Sequence, residues 1–162
     1  MEVLIAFGSK RGGTSGLAEM IGEEFAAAGL QVAVKPAAEV KTLDGFDAVV
    51  VAGSLYAGRW HPDARRFVSR NAAGLRARPV WLVSSGPLDA SATEGQIPPV
   101  RQVAAAMSSI GARGQATFGG RLEPTATGFP ARAMAKTHSG DWRDRAQVHE
   151  WAASVAAELA ET

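Results

Sequence analysis

A loop rich in glycine, hydroxyl and basic residues follows the first apolar run of the chain. The run extends from Val3 to Phe7, and a helical pattern begins directly after the loop. The loop residues are Gly8, Ser9, Lys10, Arg11, Gly12, Gly13, Thr14 and Ser15. A helix that begins here presents unpaired backbone N–H groups and the positive end of its dipole. Together with the hydroxyls and the cations, these groups predict a phosphate-binding site.

The spacing of the glycines distinguishes three kinds of phosphate loop. A dinucleotide-binding fingerprint requires Gly-x-Gly-x-x-Gly, but three other residues separate Gly8 from Gly12. The ATP-binding loop Gly-x-x-x-x-Gly-Lys-Ser/Thr requires a lysine where this chain has Thr14. The pattern Ser/Thr-x-x-Gly-x-Thr fits Ser9 to Thr14 and resembles the phosphate loop of the flavodoxin-like FMN-binding family. The alternative is a tight strand-to-helix turn that binds nothing.

Strand and helix patterns alternate along the chain, which is typical of a doubly wound parallel sheet. We predict strands near residues 2–8, 31–35, 48–54, 79–85 and 115–121. The third is continuously apolar and belongs at the centre of the sheet. Apolar stripes predict helices that stop at Gly29, begin at Pro62, run from about Pro99 to Gly111, and begin near Asp144.

The number and order of these elements predict one domain over residues 1–162 with an α/β fold. We expect a flavodoxin-like three-layer sandwich with a five-stranded parallel sheet of order 2-1-3-4-5. The ligand site of such a sheet lies at the carboxyl ends of its strands, near the switch between strands one and three.

Two further loops are expected at the same edge of the sheet. The loop after the third strand contains Ser54, Leu55, Tyr56, Ala57, Gly58, Arg59, Trp60 and His61. The loop after the fourth strand contains Ser84, Ser85, Gly86, Pro87, Leu88 and Asp89. Tyr56 or Trp60 could stack on a flavin ring, while Ser85 and Gly86 could donate N–H groups to its pyrimidine edge. One ring face would be covered by Leu88 alone or left open.

A narrower resemblance rests on the stretch Ser54-x-x-x-Gly58-x-Trp60-His61. It is similar to the corresponding loop of the menaquinone-dependent protoporphyrinogen IX dehydrogenase family. Other similar positions are Phe7-x-x-x-x-Gly12-x-Thr14, Gly119-Gly120-Arg121-Leu122-x-Pro124, Asp141-Trp142 and Trp151. The resemblance implies bound FMN, oxidation of a porphyrinogen and delivery of electrons to a quinone.

The segment 123–141 differs from that family's pattern. The enzymes have a long basic and aromatic insertion here, whereas this chain has a short segment broken by Pro130 and by several glycines. Membrane docking, porphyrinogen specificity and peripheral membrane contact are therefore left open. His138 lies in this segment and could meet a substrate.

Composition narrows the class of protein further. The chain of 162 residues has no cysteine, which excludes disulfides, thiolate metal sites and a cysteine nucleophile. No His, Asp and Glu spacing suggests a metal site, and no apolar run is long enough for a transmembrane segment. We therefore expect a cytoplasmic protein. The 17 basic and 16 acidic residues predict no general attraction to nucleic acid or anionic lipid.

Two classes of function follow for an FMN protein of this kind. The first is an oxidoreductase acting on a small-molecule reductant or a quinone, in which the catalytic residue is unknown and His61 is a weak candidate. The second is an electron carrier with protein partners. Carriers of this fold are usually strongly acidic, whereas this chain has a net charge of +1. The charge therefore favours the enzyme over the carrier. A flavin-free scaffold and a deazaflavin ligand are further alternatives. Lys10, Arg11 and Arg59 could attract acidic groups to the predicted ligand site.

Overall fold

A computed structural model describes residues 1–8, 13–56, 59–86, 101–118 and 145–161, and only the backbone of Gly13, Tyr56 and Arg145. Its strands are β1 (Glu2–Gly8), β2 (Gln31–Pro36), β3 (Ala48–Tyr56), β4 (Arg59–Trp60), β5 (Val80–Ser85) and β6 (Gly114–Phe118). They form one sheet of order β2-β1-β3-β5-β6, in which β4 pairs only with β3. Neighbouring strands are parallel, except for the antiparallel pair of β3 and β4. Without the short β4, this is the predicted order 2-1-3-4-5.

Strand β3 occupies the centre of the sheet, as its apolar sequence predicts. It pairs with β1 on one side and β5 on the other. The residues from Ala48 to Ala52 are all fully buried, because helices cover both faces of the sheet. The carboxyl ends of β1, β3 and β5 therefore meet at one edge of the sheet.

Five helices form the outer layers of the described fold: α1 (Gly13–Ala27), α2 (Pro62–Arg70), α3 (Ala72–Arg76), α4 (Arg101–Ile110) and α5 (Arg145–Ala160). The apolar stripes of α1 and α5 pack with one face of the sheet, and those of α2, α3 and α4 pack with the other. Within the described ranges, no helix has the length and apolar character needed to cross a membrane.

The predicted single helix from Pro62 is two helices, divided at Asn71. Both the backbone N–H of Asn71 and its Nδ2 group donate to the carbonyl of Phe67, at 3.0 Å each. This short polar side chain competes for backbone partners and ends α2 there. The chain then starts α3, which still buries Leu75 against the same face.

An ion pair joins the two helices of the α1 and α5 layer. Nδ1 of His149 donates to Oε2 of Glu24 at 2.6 Å. The hydrogen bond and the charge of Glu24 raise the pKa of His149 above its ordinary value of 6.5. Since the folded-state pKa is the higher one, the pair stabilises the fold below about pH 6.5 and loses its effect as the pH rises through the raised pKa.

We expect His149→Gln to lower the melting temperature at about pH 5.5 and to leave it nearly unchanged at about pH 9. Glu24→Gln is the matched variant, because it removes the other half of the same pair. A melting-temperature difference that stays constant over this pH range in both variants would contradict the assigned ion pair.

Candidate site at the carboxyl edge of the sheet

Three hydroxyl residues lie on the α1 face at the carboxyl edge of the sheet. Oγ1 of Thr14 and Oγ of Ser85 are 2.6 Å apart, and both residues are buried. Ser54 is the register partner of Ser85. It follows Val50 and Ala52 at alternate positions of β3, so its side chain lies on the same α1 face. We call Thr14, Ser54 and Ser85 the hydroxyl edge.

The hydroxyl edge connects two of the loops that the sequence analysis places together. Thr14 lies in the first turn of α1, and Ser85 is the last residue of β5. Their contact reaches across β3, which separates β1 from β5 in the sheet. The start of α1 is therefore held against the end of β5, and a ligand at the α1 N-terminus would lie close to the Thr14 and Ser85 hydroxyls.

A pair of glycines occupies the opposite face of the same edge. Gly8 and Gly53 are register partners at the ends of β1 and β3. A Cβ atom at Gly8 would lie 2.9 Å from Nδ1 of His61, and one at Gly53 would lie 2.5 Å from Nε1 of Trp60. The glycines therefore give room for the start of α2, and they do not form a cavity for a ligand.

Trp60 is part of the hydrophobic core and is fully buried. Its Nε1–H donates to the carbonyl of Val83 at 3.3 Å, and its backbone N–H donates to Oε1 of Gln102 at 2.9 Å. No face of its ring is exposed for stacking. The interpretation of Trp60 as a stacking partner of a flavin ring is therefore wrong in this structure.

His61 is the N-cap residue of α2. Its Nδ1 accepts a hydrogen bond from the backbone N–H of Asp63 at 3.0 Å, and Pro62 follows it at the first helical position. Because Nδ1 acts as an acceptor, a neutral His61 carries its proton on Nε2. The backbone N–H of His61 donates to the carbonyl of Ser54 at 2.9 Å. His61 therefore fixes the loop after β3 to the start of α2.

Gly86 has a structural role that the sequence does not reveal. Its N–H donates to the carbonyl of Phe118 at 2.8 Å, so the predicted donation from Gly86 to a flavin ring is wrong in this structure. Its φ of 134° is a conformation that favours glycine. A Cβ here would also lie 3.4 Å from Cβ of Leu55. Gly86 therefore joins the end of β5 to the end of β6.

The other predicted site residues divide into two groups. The first group lies within the described residues. Gly13 begins α1 and Tyr56 ends β3. Ser84 is buried, Ser15 and Leu55 are half-buried, and Arg59 is exposed. The remainder lie outside the described residues: Ser9, Lys10, Arg11, Gly12, Ala57, Gly58, Pro87, Leu88 and Asp89. His138 and the segment 123–141 also lie outside them.

Removal of the Thr14 hydroxyl gives a direct test of the hydroxyl edge. We expect Thr14→Ala to lower the free energy of unfolding by about 1 to 2 kcal/mol, because the buried Ser85 hydroxyl loses its partner. We also expect the variant to bind FMN more weakly. Chemical denaturation and flavin titration measure the two effects.

The control for this experiment is a double-mutant cycle. Thr14→Ser keeps a hydroxyl and should retain most of the free energy of unfolding. In the Thr14→Ala background, Ser85→Ala should lower the free energy of unfolding only slightly further, because the interaction between the two hydroxyls is already lost. Additive costs of Thr14→Ala and Ser85→Ala would contradict a direct interaction between the two hydroxyls.

An open parallel sheet of this order, with a helix N-terminus and hydroxyls at the switch between β1 and β3, defines a flavodoxin-like mononucleotide-binding protein. The flavodoxin domain model matches residues 4–140, and the chain therefore belongs to this family. Flavodoxins are FMN-binding redox proteins, and membership of the family indicates FMN as the cofactor of this chain. A comparison with curated proteins gives no match.

Solved structures show the same fold at low sequence identity. A cysteine-to-serine variant of the flavodoxin from Pseudomonas aeruginosa is 20% identical, with a TM-score of 0.61 over 97% of each chain. An archaeal flavodoxin is 15% identical, with a TM-score of 0.57 over 94% of this chain and 99% of its own. Oxidised flavodoxin 1 from Bacillus cereus is 13% identical, with a TM-score of 0.55 over 86% of this chain and 95% of its own.

The described residues fit the phosphate end of FMN. The hydroxyl edge supplies donors beside the α1 N-terminus, where the helix dipole favours an anion. In the loop that is predicted to hold the ring, Leu55 is a half-buried apolar side chain beside Gly86. A bound flavin supplies the redox chemistry, while the protein binds it, orients it and limits its access to water.

Proposed function

We propose that this protein is an FMN-binding electron-transfer protein that exchanges electrons with other redox proteins. The contact between Thr14 and Ser85 carries the proposal, because it brings the α1 N-terminus to the end of β5 at the predicted phosphate site. Membership of the flavodoxin domain family supports the same function. Electron transfer through a bound flavin needs no acid or base from the protein.

The finer assignment, a quinone-linked dehydrogenase that resembles the protoporphyrinogen enzymes, has weaker support. The resemblance depends in part on the Trp60 and His61 pair, and both residues have structural partners: Trp60 donates to the carbonyl of Val83, and His61 accepts from the N–H of Asp63. Their spacing is therefore explained without a substrate. The comparisons with known proteins give no support for this enzyme type, and the carrier is the better proposal.

The first experiment is a visible spectrum of the purified protein, followed by thermal melting with and without added FMN. We expect a flavin spectrum and a higher melting temperature with FMN, because a ligand of the folded state stabilises it by mass action. A colourless protein whose melting temperature does not respond to FMN would contradict the proposal.

The second experiment distinguishes the carrier from the enzyme. The FMN-loaded protein is reduced anaerobically and mixed in turn with redox proteins, with a soluble menaquinone analogue and with a porphyrinogen. We expect rapid electron transfer with a redox protein and slow reaction with the small molecules. Turnover of porphyrinogen with reduction of the quinone, without reaction with redox proteins, would favour the dehydrogenase.

A further inference from the structure

The two helix layers carry opposite charges. In the α1 and α5 layer, α1 contains Glu19, Glu23 and Glu24 and no Lys or Arg. Helix α5 adds Glu150 and Glu158, with Arg145 as its first residue. Apart from the half-buried Glu24, these glutamates are exposed. We call this surface the acidic face.

The helices on the other side of the sheet are basic. Helices α2, α3 and α4 contain a single acidic residue, Asp63. Their basic residues are all exposed arginines: Arg65, Arg66, Arg70, Arg76 and Arg101. We call this surface the basic face. The small net charge of the chain thus conceals two oppositely charged helix faces, each able to attract a partner of opposite charge over about a Debye length.

Part of the basic face borders the candidate flavin site. Arg59 lies in β4, directly before Trp60, and Arg65 lies in the first turns of α2. The bond from the Trp60 N–H to Oε1 of Gln102 places the start of α4, and with it Arg101, next to β4. We call Arg59, Arg65 and Arg101 the site-edge arginines.

The site-edge arginines have no structural task among the described residues. All three are exposed, and none forms an ion pair with a described carboxylate. Arg70 and Arg76, by contrast, donate to the backbone carbonyls of Val40 and Ser109. Local stability therefore does not explain these cations.

We propose that the site-edge arginines form the docking surface for an acidic redox protein. The inference depends on the proposed electron-transfer function, and it reverses the expectation that a carrier of this fold docks through negative charge. An acidic partner would approach the arginines and be repelled by the glutamates on the far side of the sheet. The charge segregation thus orients the partner with the flavin site at its interface.

The test measures binding of the FMN-loaded protein to an acidic ferredoxin and to the basic cytochrome c, at low and at high ionic strength. We expect the ferredoxin to bind more tightly at low ionic strength and to lose affinity as salt is added. Arg65→Glu with Arg101→Glu should weaken ferredoxin binding about tenfold or more at low salt, and should slow electron transfer in parallel.

The matched control is Lys41→Glu with Arg76→Glu, which changes the net charge by the same amount. Lys41 follows Val40, whose carbonyl contacts Arg70 at the end of α2, and Arg76 is the last residue of α3. Both therefore lie at the opposite edge from the candidate site. The control should retain most of the ferredoxin affinity, because its changes are remote from the docking surface.

Several outcomes would overturn the docking proposal. The first is that the control weakens ferredoxin binding as much as the Arg65 and Arg101 variant does. The second is tighter binding to cytochrome c than to ferredoxin. Self-association as the main salt-sensitive interaction, or binding to anionic lipid vesicles without binding to ferredoxin, would overturn it as well. Failure of the proposed function itself is separate: it would appear as a protein that does not bind FMN, or as an FMN-loaded protein that turns over porphyrinogen and quinone without reacting with any redox protein. Each binding experiment is therefore preceded by the flavin spectrum.

Discussion

Replacement of Trp60 by alanine is expected to lower the free energy of unfolding by about 3 to 5 kcal/mol. Trp60 is a fully buried residue and one of the largest in the core. Alanine would leave a cavity between β3 and α2 and would leave the carbonyl of Val83 without its indole donor. Urea denaturation of the flavin-free protein measures the loss.

Trp60→Phe separates the two contributions. Phenylalanine fills part of the volume but has no N–H for Val83, so its cost should be well below that of alanine. Measuring the FMN affinity of Trp60→Ala distinguishes the core position from the stacking hypothesis. If the Trp60 ring contacted the flavin, Trp60→Ala would weaken FMN binding strongly while the flavin-free protein kept its stability. The core position predicts the reverse, a large loss of stability in the absence of FMN.

The sequence predicts the sheet well because its signals are local. The unbroken apolar run from Ala48 to Ala52 gives the central strand, and apolar spacing gives the inward faces of α1 and α5. The loop positions then follow from the topology, since parallel strands end at one edge. Thr14 and Ser85 meet at this edge, although their contact depends on a side-chain bond between residues that are distant in sequence.

The errors concern features that depend on distant partners. Strand β4 has two residues, too few for any periodicity, and the structure pairs them antiparallel with Leu55 and Tyr56 of β3. An aromatic residue in a glycine-rich loop suggests ring stacking, but Trp60 is buried by contacts with Val83 and Gln102. The N–H of Gly86 is occupied because the ladder with β6 extends to Phe118.

The balance of charges is the clearest case in which composition gives an incomplete answer. A total of 17 basic and 16 acidic residues predicts no electrostatic attraction, yet α1 has acids without bases and α2 has three arginines against one aspartate. Only the placement of helices on opposite faces of the sheet separates these charges in space. The net charge of the chain is therefore a poor guide to its partners.

Gly53→Ala is expected to be the most damaging change of a single methyl group at the candidate site. The new Cβ would lie 2.5 Å from Nε1 of Trp60, 2.8 Å from its Cδ1 and 2.9 Å from Cβ of Ala64. None of these atoms is the end of a flexible side chain, because Trp60 and Ala64 are fully buried. We expect the free energy of unfolding to fall by about 3 kcal/mol, since either β3 or α2 must shift.

Gly114→Ala is the matched control for this change. Gly114 is also a strand glycine beside a tryptophan, but its added Cβ would lie 3.3 Å from Cδ1 of Trp81. A shift of a few tenths of an ångström relieves that contact, and alanine is better than glycine in a strand, so the net cost should be below about 1 kcal/mol. Equal losses of stability in both variants would contradict the close packing of α2 on Gly53.

The same variant connects packing with function. A displaced α2 would move His61 and Arg65, and with them the loop after β3 and one site-edge arginine. The hydroxyl edge lies on the other face of the sheet and would keep its Thr14 and Ser85 contact. We therefore expect Gly53→Ala to weaken ferredoxin binding more than it weakens the binding of free phosphate, which is expected to compete with FMN for the α1 N-terminus. The opposite order would mean that α2 and the phosphate site are coupled through β3.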